Sequence, residues 1–143
     1  MEIVMCGYQG YEFGAGYLDS ICCDGYLWDA DSDDGEGRLT HGGEWPCPAC
    51  NTEEMLSQAL EDAQDGSCGE SMRRPWCAAT RWEAACVAAL SANREKAERF
   101  LRQIAPFEVA DWPNRDLVYA GFAPWDDTVD RIWSPEMALA TPA

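Results

Sequence analysis

His41-Gly42-Gly43-Glu44-Trp45-Pro46-Cys47-Pro48-Ala49-Cys50-Asn51 is the stretch from which the rest of the chain is best read. It sets two cysteines at C-x-x-C spacing, stiffens their approach with prolines and runs into a helix start at Asn51. Two thiolates so spaced in a tight turn can share one tetrahedral metal, because the turn aims both sulfurs at a point about 2.3 Å from each. Zn2+ is therefore the expected cofactor, and the remaining ligands must come from elsewhere in the chain.

Working outward, the 143 residues carry a formal net charge of −16, very unevenly placed. Residues 1–70 hold 16 Asp and Glu against a single basic residue, Arg38; residues 71–143 hold 10 against 9. A field of that sign repels nucleic acid and attracts basic surfaces. The N-terminus has no basic flank and no apolar run of signal-peptide length, and no segment reaches the length of a membrane span. The expectation is a cytoplasmic protein, in which the eight cysteines serve as ligands or buried thiols rather than as disulfides.

Upstream of the C-x-x-C, residues 1–28 read as short strands: residues 2–5 are β-compatible, and residues 18–28 form a pair of strands turning at Asp24-Gly25. Gly14-Ala15-Gly16 lacks the third glycine of a dinucleotide-binding fingerprint, and no helix follows it. The loop Asp29-Ala30-Asp31-Ser32-Asp33-Asp34-Gly35-Glu36 starts like an EF-hand. It then departs from that pattern, with its glycine one residue late and Thr40 at position twelve, so it reads as a solvated acidic loop.

Downstream, Asn51 with Glu54 three residues on has the form of a capping box, and Met55, Leu56, Ala59, Leu60 and Ala63 make an apolar helical stripe ending at Gly66. A second helix is expected over residues 75–90, with Trp76, Ala79, Trp82, Ala85, Cys86 and Ala89 on its apolar face. There Cys77 and Cys86 read as small buried hydrophobes. A third helix covers residues 94–104, stopping before Pro106. From residue 107 the chain is rich in proline and tryptophan (Trp112, Trp125, Trp133) and reads as largely irregular. Within it, residues 117–122 suggest a strand, residues 126–133 a short helix, and Ser134-Pro135-Glu136 the start of another.

Candidates to complete the metal site are Cys6, Cys22, Cys23, His41 and Cys68. Adjacent residues of a strand point to opposite faces, so Cys22 and Cys23 do not both ligate one ion. Cys23 directly precedes the Asp24-Gly25 turn, and His41 can fold back from six residues before Cys47. The expected ligand set is Cys23, His41, Cys47 and Cys50, with Cys22 or Cys6 as alternates. A redox C-x-x-C is disfavoured because no βαβ pattern surrounds it. Pro46-Cys47-Pro48-Ala49-Cys50 is also half of the zinc deaminase signature. Cys22-Cys23-Asp24 would then stand for its other half, with aspartate in place of the general acid/base glutamate.

The segment from Cys23-Asp24-Gly25 to Pro46-Cys47-Pro48-Ala49-Cys50-Asn51 resembles small zinc-ribbon-like proteins of phages and prophages, over residues 23–51. The resemblance matches Cys23, Cys47 and Cys50, and departs in lacking a cysteine three residues before Cys23. It implies a structural metal and a phage-like origin, and no reaction.

The fold expected is α+β: a small zinc-pinned N-terminal β-hairpin region packed on about three helices, with an irregular C-terminal tail. It is read as one domain over 1–143, comprising an acidic zinc-knuckle region (1–50), a helical region (51–105) and a Trp/Pro-rich tail (106–143). The function expected is non-enzymatic binding of a basic, nucleic-acid-binding protein partner, with no direct contact to nucleic acid or membrane. A phage-encoded inhibitor acting as a nucleic-acid mimic is one form of it. The alternatives are a zinc-dependent deaminase or hydrolase, and an assembly subunit that binds through its Trp-rich tail.

Overall fold

The computed structural model describes residues 6–13, 16–36, 38–66, 68–71, 74–122 and 127–140. The strand expected over residues 2–5, and Trp125, lie outside them. The architecture is α+β, with eight strands and five helices among the described residues. The chain divides into two compact units, Met1–Met55 and Leu56–Ala143.

The first unit is a four-stranded antiparallel sheet in the order β1 (Gln9–Gly10), β2 (Ser20–Cys23), β3 (Tyr26–Asp29) and β4 (Gly42–Pro46). Asp24-Gly25 makes the β2–β3 turn with φ of 56° and 87°, and Cys23 pairs with Tyr26 across it. Two successive positive φ angles match the right-handed twist of the flanking strands, which is why Asp-Gly suits this position. The β3–β4 ladder shifts register between Leu27 and Trp28, where Gly42 comes to lie opposite Trp28. A Cβ on Gly42 would stand 2.6 Å from the Trp28 Cα, so only glycine allows the strands to pass this closely. The core here is small: Cys22, Leu27 and Cys47 are buried, with Tyr8, Phe13, Trp45 and Ala49 packed around them.

The acidic loop uses its carboxylates on its own backbone. Asp29 accepts from the Asp31 amide, Asp33 from the Gly35 amide, and Asp34 from the amides of Glu36 and Arg38. Short acidic side chains favour such local turns.

Helix α1 (Thr52–Asp65) carries the expected stripe, with Met55, Leu56, Ala59 and Ala63 buried. Asn51 is employed differently from a capping box. Its side-chain amide donates to the Gly25 carbonyl (3.1 Å) and to Glu54 Oε2 (3.1 Å), tying the helix start to the β2–β3 turn.

In the second unit, residues 75–77 are not helical as expected. Arg74–Cys77 forms β6, paired with β5 (Cys68–Ser71), and α2 begins only at Ala78, running to Ala92. Pro75 is compatible with a first helical turn and with a two-stranded ribbon alike, and the pairing with β5 decides. Cys77 is accordingly no simple buried hydrophobe: it is disulfide-bonded to Cys68, directly opposite in the ladder. Helix α3 (Arg94–Leu101) follows, with the Asn93 side chain accepting from the Lys96 amide at its start. Its arginines pair along the helix, Arg94 with Glu98 and Arg99 with Glu95.

The chain from Phe107 is more ordered than its proline content suggests. Phe107–Asp111 (β7) pairs antiparallel with Val129–Trp133 (β8), so residues 129–133 are a strand where a helix was expected. Arg115–Tyr119 (α4) is a helix where residues 117–122 suggested a strand, capped by Asn114, and α5 (Pro135–Leu139) starts at the expected proline. The aromatic rings of Trp82, Phe107 and Trp133 pack edge-on or tilted, with centroids 5.2–6.1 Å apart, on one side of α2. Among the described residues, no helix is long and apolar enough to cross a membrane.

Candidate metal centre

Cys47-Pro48-Ala49-Cys50 forms a turn between β4 and α1, closed by the Asn51 amide donating to the Cys47 carbonyl at 2.9 Å. Two further bonds fix it against the β2–β3 turn: the Cys47 amide donates to the Gly25 carbonyl at 2.8 Å, and Asn51 reaches the same oxygen. Thr52 locks the far side, its hydroxyl donating to the Pro48 carbonyl at 2.7 Å. The knuckle is thus held by hydrogen bonds, from amides and from the side chains of Asn51 and Thr52, onto backbone carbonyls.

Four sulfurs converge on it. Those of Cys6, Cys22, Cys47 and Cys50 all lie within 4.8 Å of one another, with Cys6 to Cys47 at 3.6 Å and Cys22 to Cys50 at 3.5 Å. Sulfurs at the corners of a tetrahedron with metal–sulfur bonds of about 2.3 Å are ~3.8 Å apart, so the group has the spacing of a four-thiolate site. Cys22 and Cys47 are buried while Cys6 and Cys50 are exposed, which places one edge of the group at the surface.

The residues expected to complete the site stand differently. Cys47 and Cys50 are joined by both alternates, Cys22 and Cys6; Cys23 and His41 are outside the group. Alternation along β2 is the reason for the first: Ser20 and Cys22 face inward and are buried, leaving Cys23 on the other face and only partly covered. His41 is exposed and is occupied elsewhere. Its ring packs edge-on against Phe13 (5.6 Å), its amide donates to the Ser32 hydroxyl (3.1 Å), and its carbonyl accepts from the Asp29 amide (2.8 Å). Cys68 belongs to the second unit. The signal that could have selected Cys22 is the phase of the strand, with Leu27 facing inward opposite it.

The electrostatics of the group are those of crowded thiols. Burial, partly offset by the amides of Cys50 and Ala49 and aided by the adjoining thiols of Cys6 and Cys22, leaves Cys47 raised to about 11. Cys50 is raised by loss of water and by the sulfurs of Cys22 and Cys6. Burial also raises Cys22, but the amides of Cys6 and Gly25 and the neighbouring thiols together carry it below its ordinary value. Four thiolates this close repel one another, and a divalent cation among them would remove that repulsion and favour the ionised forms. By donor chemistry and spacing the four residues fit a metal ion.

The chain matches no protein-family model, no curated protein and no solved structure.

Proposed function

We propose that Cys6, Cys22, Cys47 and Cys50 hold a structural Zn2+ ion, and that the metal-stapled unit is a non-enzymatic binding module for a basic protein surface. Four protein thiolates leave no coordination position for water or substrate, which is the arrangement of structural rather than catalytic zinc. A small unit whose buried apolar cluster is Cys22, Leu27 and Cys47 needs such a staple, since two of its three core residues are themselves ligands.

The observation that carries the binding reading is the charge the staple supports. The first unit has twelve acidic residues and one basic, and Asp24, Asp31, Asp33, Asp34, Glu36 and Glu44 are all exposed. Exposed carboxylates at this density favour a partner rich in lysine and arginine, of the kind that otherwise holds nucleic acid. A phage-encoded inhibitor that occupies a nucleic-acid groove is the form suggested by the zinc-ribbon resemblance.

The test is equilibrium binding of the metal-loaded protein to basic nucleic-acid-binding domains, with and without DNA, across a salt series. Competition with DNA and a steep loss of affinity as salt rises are expected. Affinity that does not respond to salt would overturn the reading.

A further inference from the structure

The second unit holds a sulfur pair that the metal centre does not use. Cys68 and Cys77 face each other across the β5–β6 ladder and are joined as a disulfide. Their surroundings differ. Cys68 is only partly covered, whereas Cys77 is fully buried against Trp112 and Val118. Cys77 is also the residue that begins α2: its amide donates to the Thr80 hydroxyl at 3.1 Å, and the same hydroxyl donates to its carbonyl at 2.9 Å. The first turn of this 15-residue helix contains no acidic residue, so the positive end of its dipole at Cys77 is unopposed from within that turn.

As a structural staple the bond is poorly placed. It joins residues nine apart, and so short a loop restricts the unfolded chain less than a long one would. As an exchange site it is asymmetric: Cys68 is the less buried of the two residues, and the Cys77 sulfur would depart at a helix N-terminus, whose positive end favours a thiolate against the cost of its burial.

We propose that Cys68–Cys77 is a thiol–disulfide exchange site for a dithiol reductant of the thioredoxin class, with Cys68 the attacked sulfur and Cys77 the leaving one. The reductant's thiolate bonds to Cys68 Sγ as the Cys68–Cys77 bond breaks, and the electron pair of that bond leaves on Cys77 Sγ, which later takes a proton. The reductant's second thiol then attacks the mixed disulfide and releases Cys68. The reductant ends as a disulfide and this chain as two thiols, so two electrons and two protons are transferred. Both residues lie in the second unit, and the proposal does not depend on the metal reading.

The test uses the wild-type protein and a thioredoxin whose resolving cysteine is replaced by serine. A covalent adduct mapped by peptide mass spectrometry to Cys68, with Cys77 newly open to alkylation after denaturation, is the expected result. Intact thioredoxin should leave no adduct and two new thiols per chain, at Cys68 and Cys77. A disulfide that survives while the protein remains folded would overturn the proposal, as would an adduct on Cys77. Finding both residues already as thiols in aerobically purified protein would overturn it equally. Cys68→Ser serves as the control and should give no adduct.

Discussion

The sulfur of Cys22 lies 3.5 Å from that of Cys50, across 28 positions of chain. Bringing them together takes the whole first sheet, because Cys22 is placed by its pairing with Leu27 and Cys50 by the turn that follows β4. Replacing Cys22 or Cys47 by Ser should abolish stoichiometric metal binding and unfold the first unit, since a structural zinc site contributes on the order of 10–16 kcal/mol of binding free energy. Cys23→Ser and His41→Ala should keep one metal per chain. Elemental analysis of the four purified variants checks this, and a Cys23→Ser protein without metal would sink the assignment of ligands.

Gly42 controls the same sheet from the opposite end. Its φ is 124°, and an added Cβ would meet Trp28 Cα at 2.6 Å and the Leu27 carbonyl at 2.8 Å, both backbone atoms that cannot swing aside. Gly42→Ala should cost roughly 2–4 kcal/mol from strain and overpacking together. Gly35→Ala, with a φ of 88° but open space around it, should cost only about 1–2 kcal/mol. Denaturant unfolding of the two variants distinguishes crowding from backbone strain, and equal losses would show that the close pass is unimportant.

Asp111 in the second unit is buried, its side chain 2% exposed, and depends on Arg115. The guanidinium binds both its oxygens at 2.6–3.1 Å and reaches Glu83 at 2.6 Å with another nitrogen, while Arg131 approaches Asp111 at 3.3 Å from a more exposed position. The two carboxylates hold Arg115 firmly in its charged form. Arg115→Met should destabilise the unit by about 2–3 kcal/mol, below the range for a wholly buried pair because Arg115 is one-third exposed. Adding Asp111→Leu should recover part of that loss by removing a buried charge left with the more exposed Arg131 at 3.3 Å. Thermal unfolding of the single and double variants decides it; a double variant less stable than Arg115→Met would contradict the argument.

Cys86 is 2% exposed on α2, and burial, with a smaller contribution from the Glu83 charge, pushes its thiol up to about 12 from an ordinary value of 9.0. The folded chain therefore keeps this proton at pH values where the unfolded chain has lost it. Between pH 9.0 and about 12 the unfolded state binds fewer protons, so stability falls as pH rises, by up to about 1.4 kcal/mol per pH unit from this group. Well below pH 9.0, where both states keep the proton, the group contributes no slope. Cys86→Ala should flatten this part of the alkaline limb relative to wild type, whatever it costs in packing. Identical slopes in the two proteins would show that Cys86 is not the group responsible.

Much of the molecule is legible in local pattern. The Asp24-Gly25 turn, the knuckle, the stripe on α1 and the stop before Pro106 are each dictated by a few neighbouring residues, and each is present. Two of the errors lie where pairing between distant segments overrides a local signal. Val129-Asp130-Arg131-Ile132-Trp133 has no alternation, with four exposed residues before one buried, and becomes a strand only because Phe107–Asp111 lies beside it. Pro75-Trp76-Cys77 reads as a helix entry until Cys68–Ser71 pairs with it, and the same pairing sets Cys77 against Cys68.

The sequence by itself determined an α+β chain with an acidic first half and a C-x-x-C knuckle opening a helix, because composition and short-range spacing carry that information. It also determined that Cys22 and Cys23 face opposite ways, because side chains alternate along a strand. Which of the two faces inward was decided only by tertiary structure, since the phase of a strand is set by its register against its neighbours and by what lies beneath it. The same register brings Cys6 to the knuckle in place of His41, and thereby makes the centre a group of four sulfurs.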